Sequence, residues 1–322
     1  MIEAVRAAMA DEMERDSRVL VMGEDVGRKG GVFGATDGLY ARFGEARVLD
    51  TPLAESGIVG VAIGAALNGL LPIAEIQFAD FIHPAFDQIV SEAARTRYRS
   101  NGDWSVPIVI RTPFGGGVHG GLYHSQSIEA FYAHVPGLKV VVPSMPADAY
   151  GLLKSAIRDP DPVLFLEHKK LYRLVSEEVP GGDNVTPIGP AVVRRPGTQL
   201  SCFAWGLMTH YCLEAAGELG AEGISMEVID LRTLAPLDRD TILESVRRTG
   251  KAMIVHEDNL TGGFGAEIAA IISEHAFESL DGPVVRVAGP DIPAMPFNTP
   301  QEEFFMPNPR KIAEAARQLA AY

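Results

Sequence analysis

Short apolar runs alternate with longer segments of helical periodicity along most of the chain. Runs of this length, ending at polar or glycine residues, are typical of strands buried in a parallel sheet. The predicted strands are 19–22, 73–77, 107–111, 139–142, 163–167, 200–204, 226–229, 252–256 and 284–287. The predicted helices are 3–14, 58–67, 84–97, 147–158, 211–219, 238–248, 266–275 and 309–320. This order predicts an α/β fold of parallel sheets with covering helices.

The strand-then-helix order breaks at 179–199, a segment with four prolines and four glycines. Clusters of these residues mark turns and connections rather than regular elements. The sequence therefore predicts a first domain at 1–180, a linker at 181–198 and a second domain at 199–322.

Composition narrows the class of protein. The 322 residues are 47% hydrophobic, which is enough for two domains with cores of their own. A net charge of −14 argues against a nucleic-acid or anionic-membrane partner. The apolar stretch after Gly57 is interrupted by Asn68 and Pro72, short of the roughly 20 residues that a membrane span needs. With two cysteines and no basic, apolar leader at its start, we expect the chain to be cytoplasmic.

Polar side chains recur where predicted strands end. Glu55 precedes the helix at 58–67, and an acid in a first helical turn ordinarily stabilises the helix dipole. Its surroundings favour chemistry instead, because Glu24, the run 77–81 and the loop 115–127 with His124 also follow strands. Carboxyl ends of parallel strands meet at one edge of a sheet, so these groups are expected near one another.

Motif spacing argues against several common sites. The glycine-rich loops at 27–34, 115–121 and 262–265 match neither the dinucleotide fingerprint nor a Walker loop. The histidines of the 115–134 region are too widely spaced, and too far from any cysteine, for a zinc site. No Gly-x-Ser-x-Gly elbow supplies a hydrolase nucleophile.

A resemblance rests on several long motifs that span essentially the whole chain. They are GEDVG at 23–27, DTPL at 50–53, AEIQFAD at 74–80, PAFDQ at 84–88, YHSQS at 123–127, VIDLRT at 228–233 and LTGGF at 260–264. In these motifs the chain resembles the beta subunits of thiamin-diphosphate-dependent 2-oxoacid dehydrogenases. AEIQFAD, YHSQS and RYRS at 97–100 are more similar to the branched-chain enzymes than to those acting on pyruvate.

The resemblance implies a pyrimidine-binding domain followed by a transketolase C-terminal-like domain. It implies that Glu55 contacts the aminopyrimidine ring nitrogen of thiamin diphosphate and that His124 exchanges a proton during acyl transfer to a lipoyl group. The implied cofactor-binding residues are Glu24, Leu53, Ala54, Glu55, Gln77 and Phe81. The implied substrate-binding residues are Phe78, Ala79, Asp80, Phe81 and Tyr123. Many relatives have tyrosine at the position of Phe81, so a phenol contact is missing here.

The same resemblance implies two metal ions, K⁺ and Mg²⁺. A K⁺ site built mainly of backbone carbonyls would use Val106, Ile108, Val109, Ala156, Asp159 and Asp161. Mg²⁺ and the diphosphate are held in such enzymes by a Gly-Asp-Gly motif and a later Asn-Asn pair, which this chain lacks. Because Mg²⁺ needs hard oxygen ligands beside the phosphates, an alpha subunit is expected to supply them in a two-alpha, two-beta tetramer.

Further expectations concern partners and alternatives. A basic domain of the acyltransferase core would dock on the acidic second domain, with Asp291, Glu302 and Glu303 as candidates. A pyruvate or acetoin dehydrogenase beta subunit is the nearest alternative. A single-chain transketolase-like enzyme, which the missing Gly-Asp-Gly motif opposes, and a non-catalytic scaffold of the same fold also remain open.

Overall fold

The computed structural model describes residues 1–322 and divides them into two compact units. The first unit comprises Met1–Phe114 and Phe131–Ile188, and the second comprises Gly115–Ala130 and Gly189–Tyr322. The chain changes unit three times, and the last change, at 188–189, falls within the segment 181–198. One difference from the predicted domains is that Gly115–Ala130 belongs to the second unit. Carboxylates of the second unit, from Glu257 and Glu302, accept hydrogen bonds from the backbone of this segment.

The first unit contains a sheet in which every strand pair is parallel. Its strands are β1 Val19–Gly23, β2 Val48–Asp50, β3 Leu71–Glu75, β4 Val109–Phe114, β5 Lys139–Val141 and β6 Val163–His168. They lie in the order β5-β6-β4-β3-β1-β2. All residues of β1, β4 and β6 are buried, which explains why these strands begin with consecutive apolar residues rather than with an alternating pattern.

Seven α-helices are associated with this part of the chain. They are α1 Ile2–Arg15, α2 Leu39–Phe43, α3 Glu55–Leu67, α4 Thr96–Arg99, α5 Glu129–Ala133, α6 Pro146–Arg158 and α7 Leu171–Leu174. The single helix predicted at 84–97 is wrong. The segment instead forms a 3₁₀ turn at His83–Ala85, a π-helical stretch at Gln88–Ala93 and then α4.

The second unit contains a five-stranded mixed sheet. Its strands are β7 Val192–Arg195, β8 Leu200–Ala204, β9 Met226–Asp230, β11 Ala252–Asn259 and β12 Val285–Gly289, with the short β10 Thr233–Ala235 following β9. The sheet order is β12-β11-β8-β9-β7. The expectation of a purely parallel second sheet is corrected by β7, which runs antiparallel to β9 at the edge.

The helices of the second unit are α8 Leu207–Ala221, α9 Arg239–Thr249, α10 Gly265–His275, α11 Thr299–Phe305 and α12 Pro309–Ala320. Asparagine side chains cap two of them, since Asn298 accepts from the backbone N–H of Gln301 and Asn308 from that of Lys311. None of the helices combines the length and hydropathy that a membrane-spanning helix requires.

Candidate active site

Strand register brings the first group of predicted site residues together at one edge of the first sheet. Gly23, the last residue of β1, pairs with Asp50 of β2 on one side and with Glu75 of β3 on the other. The three strands therefore end level, and the residues that follow them emerge side by side. These residues include Glu24 after β1, Glu55 after β2 and Gln77 after β3.

The turn after β1 is fixed by polar contacts. The Asp50 carboxylate accepts a 2.6 Å hydrogen bond from the backbone N–H of Gly27. Gln77 Nε2 donates weakly to the Glu24 carbonyl and to Asp25 Oδ2, at 3.4 Å in both cases. Glu24 and Gln77, predicted as members of one wall, are thus adjacent.

Glu24 and Glu55 form an interacting acid pair. Glu55 is the first residue of α3, where unpaired helical N–H groups favour a negative charge. The pKa of Glu24 is raised, first by burial and then by the charges of Glu55 and Asp25. A carboxyl with a raised pKa holds a proton closer to neutral pH, so Glu24 can exchange a proton with a bound group.

An apolar surface accompanies these acids. The Leu53 side chain is 77% exposed, although the neighbouring Glu55 is half-buried. The rings of Phe78 and Phe81 pack edge-to-face with centroids 5.8 Å apart, and both are half-buried. Ala54 is exposed, and Ala79 and Asp80 begin the 3₁₀ turn between the two rings. Exposed apolar groups beside paired acids suit a planar ligand that carries polar ring atoms.

A buried ion-pair network underlies this edge, and sequence reasoning missed it. Arg111 on β4 is fully buried and donates two hydrogen bonds to Glu167 on β6, at 2.6 and 2.7 Å, and one of 2.7 Å to Glu75 on β3. The Tyr172 hydroxyl donates to Glu167 at 2.6 Å. The sequence carried one sign of this network, since Glu75, Arg111 and Glu167 each follow an apolar run.

Tyr123 and His124 lie in the part of the chain that belongs to the second unit. Tyr123 ends a 3₁₀ turn and is 62% exposed, whereas His124 is half-buried. A Cβ at Gly120 would lie 2.8 Å from the Cβ of His124 and 2.7 Å from its carbonyl oxygen. The absence of a side chain at Gly120 is therefore what allows the backbone to pack against His124.

The predicted K⁺ residues lie in the first unit, where several of their groups already have partners. The carbonyls of Val106, Ile108 and Ala156 each accept a backbone hydrogen bond. The carboxylates of Asp159 and Asp161 are ion-paired, with Lys139 at 2.6 Å and with Arg97 at 2.5 Å. Val109 is a buried residue of β4. No group of three or more His, Cys, Asp or Glu side chains could hold a metal ion.

One predicted docking residue needs correction. Glu302 was expected on an exposed acidic surface, but its side chain is 4% exposed and its carboxylate binds backbone N–H groups of the same unit. Asp291 accepts hydrogen bonds from the backbone and hydroxyl of Thr261, which lower its pKa. Glu303 is exposed.

The chain is similar to known proteins over nearly its whole length. Residues 1–175 match the family "Transketolase, pyrimidine binding domain", and residues 189–312 match "Transketolase, C-terminal domain". The chain is 60% identical to the 2-oxoisovalerate dehydrogenase subunit beta of Bacillus subtilis (strain 168), covering 100% of this chain and 98% of the relative. It is 51% identical to the pyruvate dehydrogenase E1 component subunit beta of the same organism, with the same coverage.

Two further comparisons extend the relationship. A mitochondrial 2-oxoisovalerate dehydrogenase subunit beta 2 of Arabidopsis thaliana is 50% identical over 100% of this chain and 89% of the relative. A solved structure described as a split gene transketolase, inactive beta4 tetramer, superposes with a TM-score of 0.80 at 27% identity, covering 99% of this chain and 97% of the other. The chain therefore belongs to the family of beta subunits of thiamin-diphosphate-dependent 2-oxoacid dehydrogenases, which combine a transketolase pyrimidine-binding domain with a transketolase C-terminal domain.

Proposed function

We propose that this chain is the beta subunit of the decarboxylating component of a branched-chain 2-oxoacid dehydrogenase. The activity would be oxidative decarboxylation of a branched-chain 2-oxoacid, with transfer of the acyl group to a lipoyl arm of the acyltransferase core. The observation that carries the proposal is the strand register that sets the segments with Glu24, Glu55 and Gln77 at one edge of the first sheet, with the exposed Leu53 side chain two residues before Glu55. The 60% identity to a 2-oxoisovalerate dehydrogenase subunit favours the branched-chain substrate.

The residues present fit the aminopyrimidine end of thiamin diphosphate. Glu55 is half-buried at a helix N-terminus, and Leu53, two residues before it, offers an exposed apolar side chain. When bound, the cofactor supplies a carbon that adds to the 2-oxo group and a ring that accepts the electrons left by carbon dioxide.

The chain's own residues then have defined tasks. Glu55 exchanges a proton with the pyrimidine ring nitrogen, and Glu24, whose pKa is raised mainly by burial, belongs to the same wall of the site. Leu53, Ala54, Gln77 and Phe81 bind and orient the ring. Phe78, Ala79 and Asp80 border the substrate, as does Tyr123 on its own segment. His124 exchanges a proton with the lipoyl thiol during acyl transfer.

The remaining parts of the proposal concern partners. An alpha subunit supplies the Mg²⁺ and diphosphate ligands within an α2β2 heterotetramer in the cytoplasm, and the second unit docks the acyltransferase core. The similar solved structure, described as an inactive tetramer of beta chains, supports a need for a companion chain. K⁺ would be held by backbone carbonyls from the six positions named above, because the two aspartates among them are already ion-paired.

Glu55→Gln and Glu55→Ala test the central role. In the enzyme reconstituted with its alpha subunit, we expect both variants to slow deuterium exchange at the cofactor's thiazolium carbon by roughly 10²–10⁴-fold, the usual contribution of a positioned acid–base group. Glu45→Gln, at an exposed position of the same unit, is the matched control. An unchanged exchange rate in the Glu55 variants would refute the assignment.

Substrate choice needs a separate measurement, because a pyruvate enzyme subunit is also similar at 51% identity. We expect kcat/KM for 2-oxoisovalerate to exceed that for pyruvate in the reconstituted enzyme. A preference for pyruvate would move the assignment to the alternative, while leaving the role of Glu55 intact.

A further inference from the structure

Two buried carboxylates hold the segment that carries His124. This segment, Gly115–Ala130, is named the histidine loop below. Glu257 on β11 and Glu302 on α11 are each 3% exposed, and both direct carboxylate oxygens at the loop. Neither residue belongs to the motifs that identify the family in this sequence.

The contacts fasten both ends of the loop. Glu257 Oε1 accepts hydrogen bonds from the backbone N–H of Gly116 at 2.5 Å and from the hydroxyl of Ser127 at 3.1 Å. A backbone bond from the Gly115 N–H to the Gln126 carbonyl, 3.0 Å long, closes the base of the loop between these points.

Glu302 fastens the first half of the loop. Its Oε1 accepts from the backbone N–H groups of Gly117 at 2.9 Å and His119 at 3.1 Å, and its Oε2 lies 2.7 Å from His119 Nδ1. His119 has a φ of +57°, a left-handed conformation that is uncommon outside glycine. Hydrogen bonds that satisfy a buried charge compensate such local strain.

The anchored residues are connected directly to His124. Gly120 follows His119, and a Cβ at Gly120 would meet the carbonyl and Cβ of His124 at 2.7 and 2.8 Å. Because Gly120 packs closely against His124, movement of the 116–119 backbone would displace His124 or separate it from Gly120. Glycine-rich loops without such anchors open at little cost in free energy.

The free-energy cost of burying two carboxylates indicates that they have a specific structural role. Removing a carboxylate from water costs several kcal/mol unless hydrogen bonds replace the lost hydration. Three of the groups that donate hydrogen bonds to Glu257 and Glu302 are backbone N–H groups of one loop. Such hydrogen bonds fix the conformation of the loop backbone more than they stabilise the fold.

We propose that Glu257 and Glu302 are positioning residues that hold the histidine loop so that His124 stays in place for acyl transfer. This inference rests on the proposed function, which assigns His124 the proton exchange with the lipoyl thiol. Neither carboxylate needs to touch the substrate or the cofactor for this task.

The test compares two reactions of the enzyme reconstituted with its alpha subunit. Decarboxylation is measured with an artificial one-electron oxidant, and acyl transfer is measured with a free lipoyl domain. We expect Glu302→Ala to lower acyl transfer roughly 10- to 100-fold, since displacement of a reacting group by about 1 Å has an effect of this size. The ratio of acyl transfer to decarboxylation should fall, which a general loss of folded protein would not cause.

Hydrogen exchange provides an independent readout. Peptides covering 116–124 should exchange faster in Glu302→Ala, less so in Glu302→Gln, which keeps the accepting Oε1, and not at all in Glu244→Ala, an exposed control on α9. If Glu302→Ala fails to fold, Glu302→Gln and Glu257→Gln decide the question by the same ratio and the same peptides.

The outcomes separate this inference from the proposed function. If His124→Ala abolishes acyl transfer but a folded Glu302→Ala with a loosened loop keeps the normal ratio, positioning is overturned and the proposed function stands. Unchanged exchange in every carboxylate variant would also overturn it. If His124→Ala itself leaves acyl transfer intact, the role of His124 fails and the positioning role fails with it.

Discussion

Replacing Arg111 by methionine would remove the only cation from the buried network below the first-unit site. Arg111 has no exposed surface, and its guanidinium binds Glu167 through two hydrogen bonds and Glu75 through one. Methionine has a similar length and no charge, so two buried carboxyls would be left facing an apolar side chain. Only the Tyr172 hydroxyl, which donates to Glu167, would still satisfy them.

The expected loss of stability follows from burial. Breaking a buried ion pair by removing one partner costs roughly 3–5 kcal/mol, because the remaining charge is uncompensated. At about 2–4 °C per kcal/mol for a domain of this size, the Tm should fall by roughly 10 °C. Burial already raises the pKa of Glu75 in the native protein, and loss of the guanidinium would raise it further.

Because the pKa of Glu75 is raised, the loss of stability in Arg111→Met should depend on pH, and the direction of that dependence follows from the shift. An acid with a raised folded-state pKa binds its proton more tightly in the folded state than in the unfolded state. Its stability contribution is therefore complete at pH values below its unfolded pKa and is lost as pH rises through the folded pKa. The deficit of Arg111→Met relative to the native chain should be smallest in mild acid and should grow toward neutral pH.

Thermal unfolding of the full-length chain, followed by circular dichroism at several pH values, measures both effects. Arg18→Met is the matched control, because Arg18 forms an exposed ion pair with Asp16 and should leave the Tm unchanged. If Arg111→Met unfolds at the same temperature as Arg18→Met across the pH range, the network contributes no net stability and the reasoning is refuted.

Two further predictions concern the second unit. Gly120→Ala should lower acyl transfer roughly tenfold, because the added Cβ would displace His124. Gly217→Ala on α8, where an added Cβ meets open space, should leave acyl transfer unchanged. Equal rates in the two variants would contradict the close packing of Gly120 against His124. Burial, with smaller repulsion from nearby acids, raises the pKa of Glu129 to about 8 from 4.5, so the free energy of unfolding should fall as pH rises between those values. Glu129→Gln should flatten that decline in urea titrations while keeping an acceptor for the 3.0 Å bond from Trp205 Nε1, and an unaltered slope would count against the shift.

Much of the fold could be predicted from the sequence because central strands are buried on both faces. The strand predicted at 200–204 and the helix predicted at 309–320 coincide with β8 and α12. Among the strands that were not predicted, β2 and β7 are three and four residues long and lie at sheet edges, where the residues are only partly buried. An edge strand needs no continuous apolar run, so hydrophobicity gives little sign of it.

The site could be predicted where it follows strand ends and not where it depends on distant contacts. Glu24 and Gln77 were expected together because parallel strands end at one edge, and the register of β1 with β3 brings them together. Glu257 and Glu302 contact the histidine loop across 141 and 185 residues of sequence. Nothing local distinguishes Glu302 from a surface acid, which is why Glu302 was assigned to a docking surface. Glu257 follows a predicted strand, but no local pattern connects it with the loop.

In both units, buried charges lie directly behind the segments that are proposed to do chemistry. Replacing a buried ion network by apolar residues of similar volume is often neutral or stabilising, so stability alone does not explain its presence. We therefore expect the triple variant Glu75→Leu, Arg111→Met, Glu167→Leu to recover most of the Tm lost in Arg111→Met. It should nevertheless lose catalytic rate, because the strand ends before Gln77 would no longer be fixed by directional hydrogen bonds. The comparison requires the Tm of the chain and the kcat of the enzyme reconstituted with its alpha subunit. Full activity together with a recovered Tm would mean that the network has no positioning role, and that apolar packing alone can support the site.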